Sequence, residues 1–375
     1  MYFFFSLFII DNLIFFFSNY LPKPFLKYLS QKAQINYIIK NNYNLDIIFD
    51  EYIYYFRPDT YSNVLVDGIP KKQYNDKYGY SNPKNYLSSE EIELILIGDS
   101  YTHSRDFSDS MRSFFKGKVY SLGVGGQGIY HWKHQYLRFK KIYLTSSHPK
   151  IIILNYFEND ISDTLRAHKY FTAGLTHSAY YPMNEFNDNF KKLNRTISFF
   201  DETKSIIKYL VALSKIKENI QSSNLGTIEI NKECKIQIDR MDPKKKLFSE
   251  YEKPIIKNEI IKMLNLVDFK KTQVFFSYIP AADTIYHEKF TEDELLKNSY
   301  SIYKESSRNL RQLFNTIEFP VEYIDLTPQL INIADRDPLH PCNGKDTHFS
   351  SYGYQQYAKL LTEEVKKKLK HQPEY

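Results

Sequence analysis

Five residues in this chain have types that suit acyl transfer: Ser100, Gly126, Asn159, Asp346 and His348. A serine is a weak nucleophile until a histidine takes its proton, and a carboxylate must hold that histidine in the right tautomer. The negative charge that develops on an attacked carbonyl oxygen needs fixed donors. The backbone N–H groups of Ser100 and Gly126 and the side-chain amide of Asn159 can supply three. Gly126 suits its place because a Cβ there would crowd a substrate carbonyl.

Strands and turns have to bring these residues together. Glu91–Ile97 is an apolar, β-branched run long enough for one buried strand, and it stops at Gly98-Asp99-Ser100. A glycine directly after a buried strand allows a tight turn, which lifts the serine to the carboxyl edge of a sheet. Alone, the tripeptide is also an ordinary turn with a helix N-cap. Lys118–Val124 reads as a second strand, ending in Gly125-Gly126-Gln127-Gly128. Pro149–Tyr156 is a third, ending in Glu158-Asn159-Asp160. Gln273–Pro280 and Val321–Thr327 are a fourth and a fifth, and the loop carrying Asp346-Thr347-His348 comes next. Helical patterns alternate with them at Phe107–Phe115, Tyr130–Thr145, about 255–266, Asp293–Phe314 and Tyr352–Leu369. Ser350 or Ser351 suits the N-cap of the last helix, and Lys366–Lys370 its carboxyl end. This alternation predicts an α/β fold with a parallel five-stranded sheet covered by helices on both faces. In such a sheet all five loops emerge at one edge.

The remaining segments are expected to surround that domain. Met1–Tyr20 is apolar and about as long as a membrane span, interrupted by Asp11 and Asn12, with no basic leader or small-residue cleavage site. It is expected to be an uncleaved membrane-associated segment. Lys23, Lys27 and Lys32 would place the rest of the chain on the inner side by the positive-inside rule. Residues 21–90 form a lead-in that packs on the main domain; 33–90 reads as irregular structure with aromatic anchors. Residues 91–370 are the main domain, with an insertion at 164–253 that caps or borders the site and carries an apolar helix near Ile197–Ile216. The 375 residues are 42% apolar and 25% charged, a globular composition. The net charge of +6 is spread along the chain and implies no nucleic-acid partner. Two cysteines, Cys234 and Cys342, define neither a disulfide framework nor a CxxC pair.

The chain resembles the SGNH (GDSL-like) hydrolase superfamily. GDSYT is similar to its first block, SLGVGGQG to the second, FENDISD to the third and DTHFSSYGYQQYA to the last, in the family's order, from Ile92 to about Leu361. The resemblance implies a three-layer α/β/α, flavodoxin-like fold and serine ester hydrolysis or acyl transfer without metal or cofactor. Ser100 would be nucleophile, His348 base, Asp346 its orienter, and Ser100, Gly126 and Asn159 the oxyanion donors. Two features depart from the pattern. Glu158 stands where the third block usually has glycine, and one residue rather than two separates Asp346 from His348. The DxH spacing is similar to that of SGNH-like proteins of bacterial cell-surface polysaccharide O-acetylation. An acylated glycan or small molecule at or beyond the membrane is the substrate this implies, with the domain extracytoplasmic.

Other readings compete. His340, Cys342, Asp346 and His348 lie in one loop but lack paired metal-ligand spacing. LGVGGQG is similar to a dinucleotide loop, but the required glycine spacing and a ribose-binding acid are not both present. His103 is expected to be a surface or helix-start residue, and Asp99 and Asp160 turn-holding acceptors. A non-catalytic polysaccharide- or partner-binding protein of the same fold is the alternative function, argued from Glu158 and the insertion.

Overall fold

Apolar residues fill most of the central strands, and burial on both faces builds the sheet; polar Asn155 and Ser277 among them are themselves fully buried. The structure is a computed structural model. It describes residues 13, 47–49, 53–67, 69–84, 86, 92–143, 148–172, 225–239, 246–289, 298–343 and 346–370. Five strands, β1 (Leu94–Ile97), β2 (Val119–Ser121), β3 (Ile151–Phe157), β4 (Gln273–Ile279) and β5 (Val321–Asp325), pair in the order 2-1-3-4-5, all parallel. This is the doubly wound, flavodoxin-like order, whose switch point lies between β1 and β3.

Side chains alternate across the sheet and so make two cores. Leu94, Leu96, Val119, Ile151, Ile153 and Phe275 share one cluster with α1 (Arg105–Phe115) and α8 (Ser351–Lys370), through Phe107, Met111, Tyr357, Leu361 and Val365. On the other face Tyr120 meets Phe139 of α2 (Ile129–Ile142), and Trp132 of the same helix meets Phe276. α4 (Lys253–Leu264) packs on α2. α3 (Asp160–Thr172), directly after β3, belongs to this second layer: Thr164 Oγ1 accepts from Tyr130 N at 3.4 Å, and His168 Nδ1 lies 3.4 Å from Glu259 Oε1. The connections after β1 and β3 therefore leave on opposite faces, and a crevice opens between them at the carboxyl edge. α5 (Ala282–Ile285), α6 (Ser299–Asn315) and α7 (Thr327–Ala334) complete the fold. Ser350 caps α8, accepting from Gly353 N at 3.0 Å, and lysines fill the last turn as the helix dipole favours.

Several details differ from the sequence reading. The segment expected to be irregular contains an antiparallel hairpin, Tyr61–Val66 with Ile69–Tyr74. Its strands carry little apolar alternation, because only Ser62 and Gln73 of the described side chains are fully buried there. α7 falls where a loop was expected; Asp325 Oδ1 accepts from Thr327 N at 3.1 Å at its start. The insertion holds a second hairpin, Leu225–Asn231 with Cys234–Asp239. The expected helix near 197–216 and the segment 1–20, apart from Leu13, lie outside the described residues. Among the described residues no helix is long and apolar enough to cross a membrane.

The cysteines also require correction: Cys234 and Cys342 form a disulfide across 108 residues. Ile236 bridges Cys342 in antiparallel fashion, and Asn343 N donates to Lys235 O at 2.6 Å. Two cysteines so far apart in sequence give no local sign of pairing; tertiary packing of the hairpin brings them together. In the chain-entropy view a closed loop of this length contributes about 4–5 kcal/mol.

The chain divides into two units. The larger holds Asp46–Ile48, Ile53–Lys169 and Ser223–Tyr375, and contains the whole sheet. The smaller, Met1–Leu45, Phe49–Tyr52 and Tyr170–Ser222, falls almost wholly outside the described residues.

Candidate active site

Ser100 opens a single helical turn, Ser100–His103, directly after β1. The turn is tight because Gly98 has no side chain: a Cβ there would lie 2.8 Å from Asn155 O of β3 and still closer to Thr102. Asp99 caps the turn, accepting from Tyr101 N at 3.0 Å. The loop after β2 comes alongside, for a Cβ on Gly125 would sit 3.5 Å from Ser100 Cβ. Its next residue, Gly126, has φ +70°, a left-handed conformation that favours glycine.

The last loop delivers the histidine. His348 Nε2 lies 2.9 Å from Ser100 Oγ, and His348 Nδ1 lies 2.7 Å from Asp346 Oδ1. An ionised carboxylate only accepts, so Nδ1 carries the proton and Nε2 is left to accept from the serine hydroxyl. Asp346 Oδ1 also accepts from His348 N at 3.0 Å. The Asp346 carboxyl is 4% exposed and the imidazole 35%. Burial alone would raise the Asp346 carboxyl; the hydrogen bond and charge of His348, with its backbone N–H, outweigh that and hold it below its ordinary value. Tyr101 secures the loop by donating to Thr347 O at 3.1 Å, with its ring 4.9 Å from that of His348.

Ser100, His348 and Asn159 line one cavity of about 180 Å³, with Phe157, Ala281 and Ala282 supplying apolar wall. The structure thus brings Ser100, His348, Asp346 and Asn159 to one place, with the Gly125–Gly126 turn beside Ser100.

Beneath the serine lies a set of carboxylates. Asp160 Oδ2 accepts from Phe157 N at 3.1 Å, so Asp160 holds its turn as Asp99 does. Burial pushes the Asp99 carboxyl up to about 6, opposed by His348 and the Tyr101 N–H and reinforced by Asp163. Asp160 is pushed well above the ordinary carboxylate range by burial, and by Asp99 and Asp163. A carboxyl whose pKa is raised on folding binds its proton more tightly in the folded than in the unfolded state. Its stabilising contribution is present below about pH 4 and is lost as pH rises through about 6. Relative to wild type, Asp99→Asn is therefore expected to gain about 1–3 kcal/mol between pH 4 and pH 7. Denaturant unfolding at the two pH values measures this, and a difference that stays constant would contradict the assignment.

His103 is not a surface residue. It ends the Ser100–His103 turn, 8% exposed, stacked on Phe56 at 4.4 Å with Gln73 Nε2 3.1 Å from its Nε2. Burial pulls its pKa down to about 4, with the charge of His348 adding. Of the loop residues weighed as metal ligands, His340 is a buried ring packed on Phe349, and Cys342 is in the disulfide. Among the described residues no group of three His, Cys, Asp or Glu side chains is placed to hold a metal.

Sequence reasoning missed one group. Lys246, from the insertion, is 1% exposed and pairs with Glu158 and Asp283. Lys246 stands in a run of three lysines that reads as a solvated face. The only signal was the presence of Glu158 beside Asn159.

Fold and site together define a doubly wound α/β protein with a Ser–His–Asp arrangement at its switch point. No family model and no curated protein matches the chain. Among solved structures it is similar to a GDSL-like lipase from Bacteroides thetaiotaomicron, at 12% identity and a TM-score of 0.34, over 76% of this chain and 94% of that one. It is also similar to an acetyl xylan esterase from the rumen bacterium Butyrivibrio proteoclasticus, at 12% identity and a TM-score of 0.31, over 80% and 67% respectively. At this level of likeness the chemistry rests on the site's own atoms.

Proposed function

We propose that the protein is a serine ester hydrolase or acyltransferase that works through an acyl-enzyme on O-acyl, notably acetyl, groups of a glycan or similar envelope substrate. The observation that carries this reading is the chain of contacts from Ser100 Oγ through His348 to Asp346, opening on a small cavity that Asn159 shares. In the first step Ser100 Oγ bonds to the ester carbonyl carbon while its proton passes to His348 Nε2. The backbone N–H groups of Ser100 and Gly126 and the Asn159 amide stabilise the oxyanion. The alcohol then leaves with the proton from the imidazolium. Water or a sugar hydroxyl, deprotonated by the same imidazole, bonds to the acyl carbon, and the imidazolium returns that proton to Ser100 Oγ as its bond to the acyl group breaks; hydrolysis and transfer differ only in that acceptor. A cavity of about 180 Å³ suits a short acyl chain. Glu158, the main argument for a non-catalytic protein, does not line the cavity; its carboxylate is engaged by Lys246, Tyr278 and Thr284. Release of 4-nitrophenol from its acetate ester, together with covalent labelling by a fluorophosphonate, tests the reading. A folded protein that does neither would refute it.

We place the working protein outside the cytoplasm, held at the membrane by residues 1–20. Support for the side comes from the Cys234–Cys342 disulfide, since such bonds persist in oxidising compartments. The apolar composition of Met1–Tyr20 supports the attachment. Protein extracted from cells with rapid thiol blocking is expected to carry fewer than about 0.2 free thiols per chain, as a stable extracytoplasmic disulfide requires. Two blocked thiols per chain would place it in a reducing compartment.

A further inference from the structure

We propose that Lys246 is a positioning residue for the reaction: its ammonium, bridging Glu158 and Asp283 inside the protein, fixes Asn159 in the cavity it shares with Ser100. This rests on the acyl-transfer reading above.

Lys246 Nζ lies 2.6 Å from Glu158 Oε2 and 2.7 Å from each Asp283 oxygen. The three side chains are 1%, 0% and 3% exposed. Taking an ammonium and two carboxylates out of water is costly, and an apolar replacement of similar volume is often as stable. What such a cluster supplies is a defined place for the backbone on either side of it, and here both sides reach the site. Glu158 immediately precedes Asn159, and Asp283 comes immediately after Ala282, a wall residue of the cavity. Tyr278 and Thr284 also donate to Glu158 Oε1, at 3.1 and 3.0 Å. From the opposite direction Asn159 O accepts from Ser162 Oγ at 2.9 Å and from Asp163 N at 3.2 Å. Asn159 is thus held between the start of α3 and the lysine cluster. One ammonium serves both acidic side chains, so removing it breaks the tie between them, and the Asn159 turn and the Ala281–Ala282 wall separate.

The test compares wild type, Lys246→Met, Asn159→Ala and the double variant on 4-nitrophenyl acetate, with kcat expressed per serine titrated to completion by fluorophosphonate. That normalisation removes any misfolded fraction. A displacement of about 1 Å costs up to about 10²-fold in rate, so Lys246→Met is expected to lose roughly 10- to 100-fold in kcat with KM within about threefold. Asn159→Ala is expected to lose about 10²–10³. Because both act through one amide, the double variant should be no slower than Asn159→Ala alone. If Lys246→Met does not fold, Lys246→Met/Asp283→Asn, which leaves a single carboxylate able to take a proton, replaces it with the same expectation. A kcat per serine within about twofold of wild type, or losses that multiply in the double variant, would overturn the proposal. If wild type neither cleaves nor labels, the acyl-transfer reading has failed, and crystal structures decide the positioning claim separately. An Asn159 side chain displaced by about 1 Å or more in the lysine variant supports it, and an unmoved one overturns it.

Discussion

Ser100→Ala is expected to lose on the order of 10³–10⁶ in turnover of an acetyl ester. The loss has two parts. No acyl-enzyme can form without Oγ, and the general base His348 then has no proton to take at 2.9 Å. What survives is the effect of the oxyanion donors and of binding, which by themselves still accelerate attack by water. The variant should keep its fold, because among the described residues the serine hydroxyl's single proton has only His348 Nε2 and, at 3.3 Å, Asp99 Oδ2 as acceptors in reach. Steady-state kinetics with wild type prepared in parallel make the comparison. Full turnover by the alanine protein would remove Ser100 from the chemistry.

Asp346→Asn is expected to cost roughly 10⁴ in kcat with little change in structure. The carboxylate accepts from His348 Nδ1 at 2.7 Å, and this leaves Nε2 free of a proton. An asparagine amide in its place can donate to Nδ1, which stabilises the opposite tautomer. Nε2 then carries the proton and points a donor at Ser100, so the serine has no base. The loss should therefore appear in kcat and in the fluorophosphonate labelling rate alike. A variant that retained wild-type rates would show that another group orients the imidazole.

Much of the scaffold was legible because its signals are local. LILI is wholly apolar, and IIILNYF is so except for the buried Asn155, because β1 and β3 are buried on both faces; their shortness and the turn residues that bound them mark them as strands. The turn after β1 is legible through Gly98, whose lack of a side chain the close approach of β3 requires. Ser100, Asn159, Asp346 and His348 are scattered through the sequence, yet a parallel sheet sends the loops after its strands to one edge. Topology therefore brings them together without any local signal. What stayed hidden depends on contacts made only in the folded chain. The disulfide joins residues 108 apart, through a hairpin that pairs with the loop leading to Asp346. Lys246 looks like a solvated charge until Glu158 and Asp283 are seen on either side of it. The hairpin at Tyr61–Tyr74 buries two polar side chains, Ser62 and Gln73, so apolar periodicity could not mark it. The burial of His103 is hidden for a related reason: its packing partners, Phe56 and Gln73, come from that same unmarked region.

Peptide mapping of the full-length protein after reaction with a fluorophosphonate tests the central claim most directly, because it asks which atom becomes covalently bound. One phosphonyl group per chain, carried on the peptide that contains Ser100 and abolished by Ser100→Ala, is the predicted result. Ester cleavage by a protein whose label maps to another residue, or by one that takes no label, would contradict it.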